Sequence, residues 1–176
     1  MQIIRASKKD MNELVALYHI AVEHMFEEKN VNQWQHDETN FVNHVNKYID
    51  DNNFYKVEKN NEIIGFFAMI YGTDVTYNEI KGKWINDEPY VTIHKIASKY
   101  YKQGIATKML NYVLNDALEK SINNIRIDTH KDNVSMQKFL EKQGFVNCGV
   151  ISITCDFNNL SSHRNAFIKE IKTSHK

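Results

Sequence analysis

The sequence predicts a single domain of mixed α and β structure over residues 1–176. Three observations lead to this fold class. The chain is 42% apolar and 25% charged, which is typical of a globular protein of this length. A run with helical apolar period begins at Gly104, and IIGFFAMIY (63–71) indicates a buried strand. Strand-like and helix-like segments alternate through the rest of the chain.

The first third of the chain predicts a short strand, two helices and a hairpin. Ile3 and Ile4 indicate the strand, and Ser7 with Asp10 resembles the box that caps a helix start. The first helix has one apolar face: Met11, Leu14, Val15, Tyr18, Val22, Met25 and Phe26. The second carries Phe41, Val42, Val45, Tyr48 and Ile49. FYKVE, a turn at Asn60-Asn61 and the buried strand predict the hairpin.

The later segments predict strands and helices in alternation. In chain order they are an irregular stretch over 72–89, a strand YVTIHKIA over 90–97, a helix from Gly104, a strand IRIDTH over 125–130, a helix over 134–143, and one or two strands over 145–157. Gly144 follows the second of these helices, as glycine commonly does. RNAFIKEIK (164–172) fits either a helix or an edge strand.

Charge and cysteine content exclude several classes of function. The 22 basic and 22 acidic residues cancel, which argues against a general nucleic-acid or membrane-surface binder. No apolar run approaches the roughly 20 residues of a membrane span. Cys148 and Cys155 are too few for a disulfide framework, so we expect reduced thiols and a cytoplasmic protein. The eight histidines form no HExxH motif, and we expect no metal.

The helix from Gly104 has the clearest pattern in the chain. Its apolar positions form one broad face: Ile105, Ala106, Met109, Leu110, Val113, Leu114, Ala117 and Leu118. Glycine is a poor helix residue, so its place at this start needs a reason. The first N–H groups of a helix have no partner within it, and that end is positive. Gly104 and Ala106 would leave room for a phosphate there, and the alternative is an ordinary strand-to-helix turn.

Two segments resemble the GNAT N-acetyltransferase family. IHKIAS, KYYKQGIA and the helix after them are similar to the family's CoA-binding segment, with its pattern Arg/Gln-x-x-Gly-x-Gly/Ala. Gly104 and Ala106 match the second half of the pattern, whereas Tyr101 stands at the Arg/Gln position. RIDTHKDNVSMQKFLEKQGF resembles the next strand and helix, with Asn133 at the usual asparagine. GxxxxGK[ST] and GxGxxG are absent, which excludes the competing phosphate motifs.

The resemblance covers essentially the whole chain and implies a fold and a cofactor. The implied fold is a central, mostly antiparallel twisted sheet, with a parallel strand pair splayed around the cofactor and about four flanking helices. The implied cofactor is acetyl-CoA, the acetyl donor, with no metal. The implied cofactor-binding residues are Ile96, Ala97, Ser98, Lys102, Gln103, Gly104, Ile105, Ala106, Thr107, Asn133 and Ser135.

The resemblance leaves the proton-transfer groups open. The family commonly protonates the CoA thiolate with a helix tyrosine, and this chain has Leu140 there, so another tyrosine or water would act. The family's base corresponds to Thr92, and strand alternation places His94 and Ile96 on the same face. Histidine is the residue type best suited to proton transfer near neutral pH, so His94 is the first candidate for the base, and the alternative is a hydrogen-bonded core histidine. Asp128 and His130 are further candidates for the base. The alternative is that they belong to a polar cluster that orders the end of the strand.

In the family, two segments of the chain line the site that binds the acceptor amine, and the corresponding segments here supply the candidate residues. The candidate residues are Trp34, Tyr77, Trp84 and Glu88. Aromatic rings beside carboxylates suit a cationic amine, and the alternative is loop aromatics that pack on the core.

Two functions follow from these predictions. The first is an N-acetyltransferase that transfers an acetyl group from acetyl-CoA to a primary amine of a small molecule or peptide, by direct attack in a ternary complex. The second is a non-catalytic acyl-CoA-binding protein that retains the fold, which Leu140 and Tyr101 favour. We expect no nucleic-acid or membrane partner, and a homodimer through strand edges is an option.

Overall fold

The structure of the protein is a computed structural model that describes residues 1–29, 37–155 and 160–171. Its α-helices are α1 (Met11–Lys29), α2 (Glu38–Asp50), α3 (Ile105–Glu119) and α4 (Val134–Lys142). Its strands are β1 (Gln2–Arg5), β2 (Phe54–Lys59), β3 (Glu62–Tyr71), β4 (Ile80–Gly82), β5 (Tyr90–Ser98), β6 (Asn124–His130), β7 (Val146–Cys155) and β8 (Leu160–Glu170). Short 3₁₀ turns lie at Lys8–Asp10 and Val75–Tyr77.

The predicted fold class is confirmed. Strand pairing is mostly antiparallel, β5 and β6 form a parallel pair, and the described residues contain four α-helices. The chain divides into two compact units. The first consists of Met1–Met69 and His94–Tyr112, and the second of Ile70–Ile93 and Val113–Lys176.

The first unit is built on the β1, β2 and β3 strands, which pair antiparallel in that order. The predicted hairpin turn is present, because Asn60 and Asn61 take φ values of 53° and 62°. Asparagine tolerates this left-handed conformation better than most residues, and a two-residue hairpin of this type requires it twice. Helices α1 and α2 pack on this sheet, and Tyr18 stacks on Phe41 with ring centroids 4.3 Å apart.

The second half of β5 belongs to the first unit and lies close to β3. A Cβ atom on Gly65 would lie 3.2 Å from the Ala97 carbonyl oxygen and 3.1 Å from Ile105 Cγ2. Glycine at this place therefore lets β3 approach both the end of β5 and the start of α3. Lys95 has a φ of 52°, which interrupts the strand geometry. The alternation of side chains is therefore interrupted at Lys95, and the prediction that Ile96 lies on the same face as His94 does not hold.

The second unit contains the first half of β5, followed across the sheet by β6, β8, β7 and β4. Parallel pairing joins Tyr90 to Asn124 and continues to Ile93 with Ile127. RNAFIKEIK fitted a helix or an edge strand, but its residues 164–170 form most of β8, an interior strand between β6 and β7. Ala166, Phe167 and Ile168 are all fully buried. Since consecutive strand residues point to opposite faces, three buried residues in a row show that β8 is covered on both faces of the sheet.

The stretch predicted to be irregular contains β4, a short strand that pairs with β7. Gly82 lies opposite Gly149, and a Cβ atom on Gly82 would lie 2.1 Å from the Cys148 carbonyl oxygen. Two glycines therefore permit a close approach of the two backbones. Among the described helices, none is long and apolar enough to cross a membrane.

Candidate active site

The turn over residues 99–104 connects β5 to α3, and it places α3 where the sequence predicted. Helix α3 begins at Ile105, and the Gly104 carbonyl accepts the Lys108 N–H at 2.9 Å. The N–H groups of residues 105–107 therefore have no acceptor within the helix. Lys102 and Gly104 have φ values of 60° and 75°, so the turn contains two left-handed residues.

This helix start fits an anionic group. No heavy atom lies within 4 Å of the position that a Cβ atom would take on Gly104, so the space beside it is open. The side chain of Ile105 is buried, whereas Gln103 and Gly104 are exposed. Open space at Gly104 thus lies next to the positive end of a 15-residue helix, a position that suits a phosphate group.

Contacts on both flanks hold the turn. The Lys99 N–H donates to the Ile64 carbonyl at 2.9 Å, and the Lys99 ammonium pairs with Glu62. The Tyr100 hydroxyl donates to Glu62 Oε1 at 3.2 Å. These contacts connect the beginning of the turn to β3. Further along, the Tyr101 ring stacks on the His24 ring of α1.

The other predicted cofactor residues lie in both units. Ile96, Ala97 and Ser98 form the end of β5, with Ala97 buried, and Lys102 and Gln103 lie exposed in the turn. Ala106 and Thr107 are half-buried in the first turn of α3. The second unit contains Asn133 and the exposed Ser135.

Asn133 caps the start of α4. Its Oδ1 accepts the Met136 N–H at 3.1 Å, which satisfies one of the N–H groups that have no partner within the helix. This bond gives Asn133 a structural role whether or not it also contacts a ligand.

His94 lies half-buried on β5 in the first unit. Its ring is nearly parallel to the Tyr48 ring of α2, with an interplanar angle of 6° and centroids 6.5 Å apart. The side chain therefore lies beside an aromatic surface within its own unit, and both the base and the core-histidine interpretations remain compatible with this position.

Asp128 accepts a hydrogen bond from a buried tyrosine in the second unit. The Tyr77 hydroxyl donates to Asp128 Oδ1 at 2.8 Å. Burial, together with the negative charge of Asp128, raises the pKa of Tyr77 well above its ordinary value. The tyrosine consequently stays protonated and serves as a fixed donor to a half-buried carboxylate.

His130 lies two residues further along β6. Its Nδ1 accepts the Asp132 N–H at 3.3 Å, and the Asp132 carboxylate lies 3.6 Å from the same nitrogen. Burial, together with the positive charge of Arg164, lowers the pKa of His130. The folded protein therefore favours the neutral imidazole, which is the form that accepts a proton.

The predicted acceptor residues differ in exposure. Tyr77 and Trp84 are buried in the core of the second unit, and Trp84 Nε1 donates to the Tyr77 carbonyl at 3.0 Å. Glu88 is exposed, and its N–H donates to Asn86 Oδ1 at 3.1 Å. Trp34 lies outside the described residues.

Arg126 is a buried cation that was not assigned a role from the sequence. Its guanidinium carbon lies 4.1 Å from the Trp84 ring centroid and 3.9 Å from that of Tyr90. Its Nη2 donates to the Asn86 carbonyl at 2.9 Å. These contacts order the segment from Trp84 to Tyr90. The signal in the sequence was a charged residue inside an apolar strand, together with aromatic residues in the preceding polar segment.

Comparison with known proteins identifies the family. The sequence profile described as the acetyltransferase (GNAT) family matches residues 13–145, which is most of the chain. The chain belongs to the GNAT acetyltransferase family. GNAT acetyltransferases transfer acyl groups from acetyl-CoA to acceptors that contain amines, so acyl transfer from acetyl-CoA is the general chemistry of this chain. No protein of curated function matches the sequence.

Solved structures share the GNAT fold over almost the whole chain. A GNAT-family acetyltransferase from Streptococcus agalactiae 2603 is 25% identical with a TM-score of 0.75, covering 98% of this chain and 96% of that one. A protein of Staphylococcus aureus Mu50, assigned as an acetyltransferase, is 22% identical with a TM-score of 0.72, covering 98% and 100%. The PaiA N-acetyltransferase of Thermoplasma acidophilum, solved in complex with coenzyme A, is 15% identical with a TM-score of 0.64, covering 96% and 98%.

Two side chains of this GNAT protein limit the chemistry available to it. Leu140 is fully buried and carries no proton to donate. Cys148 is buried, and burial raises the pKa of its thiol, which disfavours the nucleophilic thiolate. Among the described residues, no group of three His, Cys, Asp or Glu side chains is placed to hold a metal ion.

Proposed function

We propose that this GNAT protein is an acetyl-CoA-dependent N-acetyltransferase, a single domain over residues 1–176 that acetylates a primary amine of a small molecule or peptide. The observation that carries the proposal is the start of α3, where N–H groups without helix partners lie beside the open space at Gly104. Membership of the GNAT family supports the same cofactor.

The cofactor contacts come from the chain around this helix start. The N–H groups of Gly104, Ile105, Ala106 and Thr107 bind the pyrophosphate, with further contacts from Lys102 and Gln103. Asn133 and Ser135 are the remaining predicted cofactor contacts. Acetyl-CoA supplies the acetyl group as a thioester.

Backbone N–H groups around Ile96, Ala97 and Ser98 stabilise the negative charge that develops on the thioester oxygen. Preorganised donors of this kind lower the barrier because they need no reorganisation during the reaction. The approach of β3 to Ala97, which Gly65 permits, fixes this part of β5 against its neighbour.

Transfer is by direct attack. The amine nitrogen forms a bond to the thioester carbon, the carbon–sulfur bond breaks, and its electron pair leaves on the thiolate. The attacking nitrogen also gives up a proton to become an amide, which balances the proton that the thiolate takes up. A lysine-like amine has a pKa of about 10.4, so it must first lose a proton. The buried, protonated Cys148 thiol supports this route over an acetyl-cysteine intermediate.

His94 is the first candidate for the base that accepts this proton, because a neutral imidazole suits the task near neutral pH. His130 and Asp128 are the alternatives. The lowered pKa of His130 keeps its imidazole neutral, and Asp128 is a half-buried carboxylate with a fixed donor. Since Leu140 cannot protonate the thiolate, water or a tyrosine does so.

The acceptor site uses Trp34, Tyr77, Trp84 and Glu88, and its acidic and aromatic character suits a cationic amine. Glu88 is the exposed member, whereas Tyr77 and Trp84 are buried and support the surrounding surface. The protein acts in the cytoplasm, and a homodimer through a strand edge is an option for its assembly.

The test has two steps. First, CoA and acetyl-CoA should raise the melting temperature, since a ligand at 100 times its Kd adds about 2.7 kcal/mol of stability. Second, acetyl-CoA turnover is followed with a thiol reagent across a panel of amines, with controls that lack an amine. Amine-dependent CoA release supports the enzyme. Tight binding without release from any amine supports the non-catalytic acyl-CoA-binding protein, and no thermal shift contradicts both functions.

A further inference from the structure

The turn that precedes α3 is held on one side by an aromatic pair. The rings of Tyr101 in the turn and His24 on α1 have centroids 3.4 Å apart and an interplanar angle of 19°. Both residues belong to the first unit. Tyr101 is 43% exposed, so this stack lies at the surface of its unit and is not imposed by close packing of the core.

The backbone of the turn needs such a contact. Lys102 follows Tyr101 directly and has a φ of 60°, which is unfavourable for any residue that carries a Cβ atom. Gly104 is also left-handed, at a φ of 75°. Glycine adopts this conformation without strain, but Lys102 keeps it only when the surroundings of the turn fix it.

Two parts of the turn are fixed by different elements. Glu62 of β3 binds Lys99 and Tyr100 at the beginning. The His24 ring meets Tyr101 directly before the left-handed Lys102. The stack therefore acts on the part of the turn that sets the direction of the N–H groups at the start of α3.

We propose that His24 is a positioning residue of the cofactor site, which acts through its stack with Tyr101 to keep residues 101–104 in the conformation that binds CoA. The inference rests on the proposed function for the identity of the ligand. It assigns a role in CoA binding to α1, and it explains how Tyr101 contributes although its side chain differs from the Arg or Gln of the family pattern.

The binding test compares CoA dissociation constants, measured by calorimetry on the full chain. Aromatic pairs contribute enough that His24→Ala and Tyr101→Ala should each weaken CoA binding about three- to tenfold. His24→Phe keeps a flat ring and should stay within about twofold of the wild type. Because the two residues act as a pair, the double alanine variant should bind nearly as well as either single variant.

His19→Ala is the matched control. His19 lies on the same helix, but its Nε2 contacts Glu38 Oε2 at 2.7 Å. This variant should bind CoA as the wild type does. Wild-type affinity in His24→Ala would overturn the proposal. Equal losses in His24→Ala and His24→Phe would also overturn it, because the imidazole would then act by a route other than stacking.

Amide hydrogen exchange without CoA gives a second measurement that does not depend on the ligand. His24→Ala should increase exchange over residues 101–107 and leave the core strand β3 protected, whereas His19→Ala should leave exchange over 101–107 unchanged. Unchanged exchange in His24→Ala would overturn the positioning role. If the wild type fails to bind CoA, the proposed function fails, and the exchange data still decide whether the stack orders the turn.

Discussion

The Tyr77 hydroxyl donates to Asp128 Oδ1 across 2.8 Å, and this bond joins a buried ring to a half-buried carboxylate. The ring belongs to the core cluster that also contains Trp84 and Ile168. Core packing therefore fixes the orientation of the donor, and the donor in turn fixes one oxygen of Asp128. The other oxygen is not constrained by this bond.

Tyr77→Phe should destabilise the protein and reduce turnover. A hydrogen bond to a charged group contributes about 1.5–3 kcal/mol, which urea unfolding would measure as a loss of the free energy of unfolding. If Asp128 takes part in proton transfer, kcat falls and the Kd of CoA stays unchanged.

Tyr71→Phe is the matched control for this substitution. The Tyr71 hydroxyl also donates to a carboxylate, that of Asp116, within the second unit. We expect a loss of stability of the same order, with kcat preserved. A parallel fall of kcat in both variants would show that Tyr77 matters only for stability.

Gly104→Ala should weaken CoA binding at a modest cost in stability. The left-handed φ of 75° costs an L-residue about 1–2 kcal/mol, and no neighbour lies within 4 Å to add a clash. Gly72→Ala tests the same effect elsewhere, because Gly72 has a φ of 104° and equally open surroundings. Both variants should lose stability, and only Gly104→Ala should show a higher Kd for CoA by calorimetry.

Gly104→Glu should abolish CoA binding with the fold intact, and undiminished binding would contradict the phosphate site.

His94→Ala should lower kcat/KM by about 10²–10⁴-fold if His94 is the base. The acidic limb of the pH–rate profile should flatten, and CoA affinity should hardly change. His130→Ala tests the same residue type on β6. Loss of activity in the His130 variant alone would move the assignment to the Asp128–His130 segment. Wild-type activity in both variants would leave solvent, or one of the acidic residues Asp87 and Glu88 that precede β5, as the base.

His130 should make the protein less stable in mild acid. Its pKa in the folded state lies below the ordinary value of 6.5 because of burial and Arg164. The unfolded chain therefore binds more protons as the pH falls below about 6.5, and stability decreases through that interval until the folded state is protonated too. His130→Gln should lose less stability than the wild type between about pH 7 and pH 5, measured by urea unfolding. An identical pH dependence in the two proteins would contradict this prediction.

Asn133→Ala should cost about 1 kcal/mol of stability, because the cap on α4 is lost. If Asn133 also contacts the cofactor, kcat/KM falls by more than the loss of folded protein explains. Asn133→Ser retains a capping side chain and should recover the stability. Recovery of both properties in the serine variant would leave capping as the whole role of Asn133.

Local patterns predicted most of the elements, because they depend on neighbours in the chain. The broad apolar face of α3 and the Asn60-Asn61 turn are signals of this kind. The interior position of β8 was not predictable from local patterns, since it depends on which strands pair with it in the folded sheet. The left-handed Lys95 has no local signature either, because lysine has no preference for that conformation.

The candidate site shows the same division. The glycine at the start of α3 could be found from spacing alone, because helix geometry determines which N–H groups lack partners. The contacts of Arg126 could not be found in this way, because its two aromatic neighbours and the Asn86 carbonyl come from a segment without a regular pattern. The stack of His24 on Tyr101 joins residues far apart in the sequence, so no local pattern could predict it.

The interior position of β8 has a consequence for the nascent chain. Strands β6 and β7 leave the ribosome before the strand that separates them in the sheet. Until residues 160–170 have been synthesised, each of the two carries an edge of N–H and C=O groups without its native partner, and such edges attract other chains. A protein stopped after Cys155 would lack the buried Ala166, Phe167 and Ile168 as well as this pairing. Chaperones that shield strand edges should therefore matter most during the last stage of translation of this region.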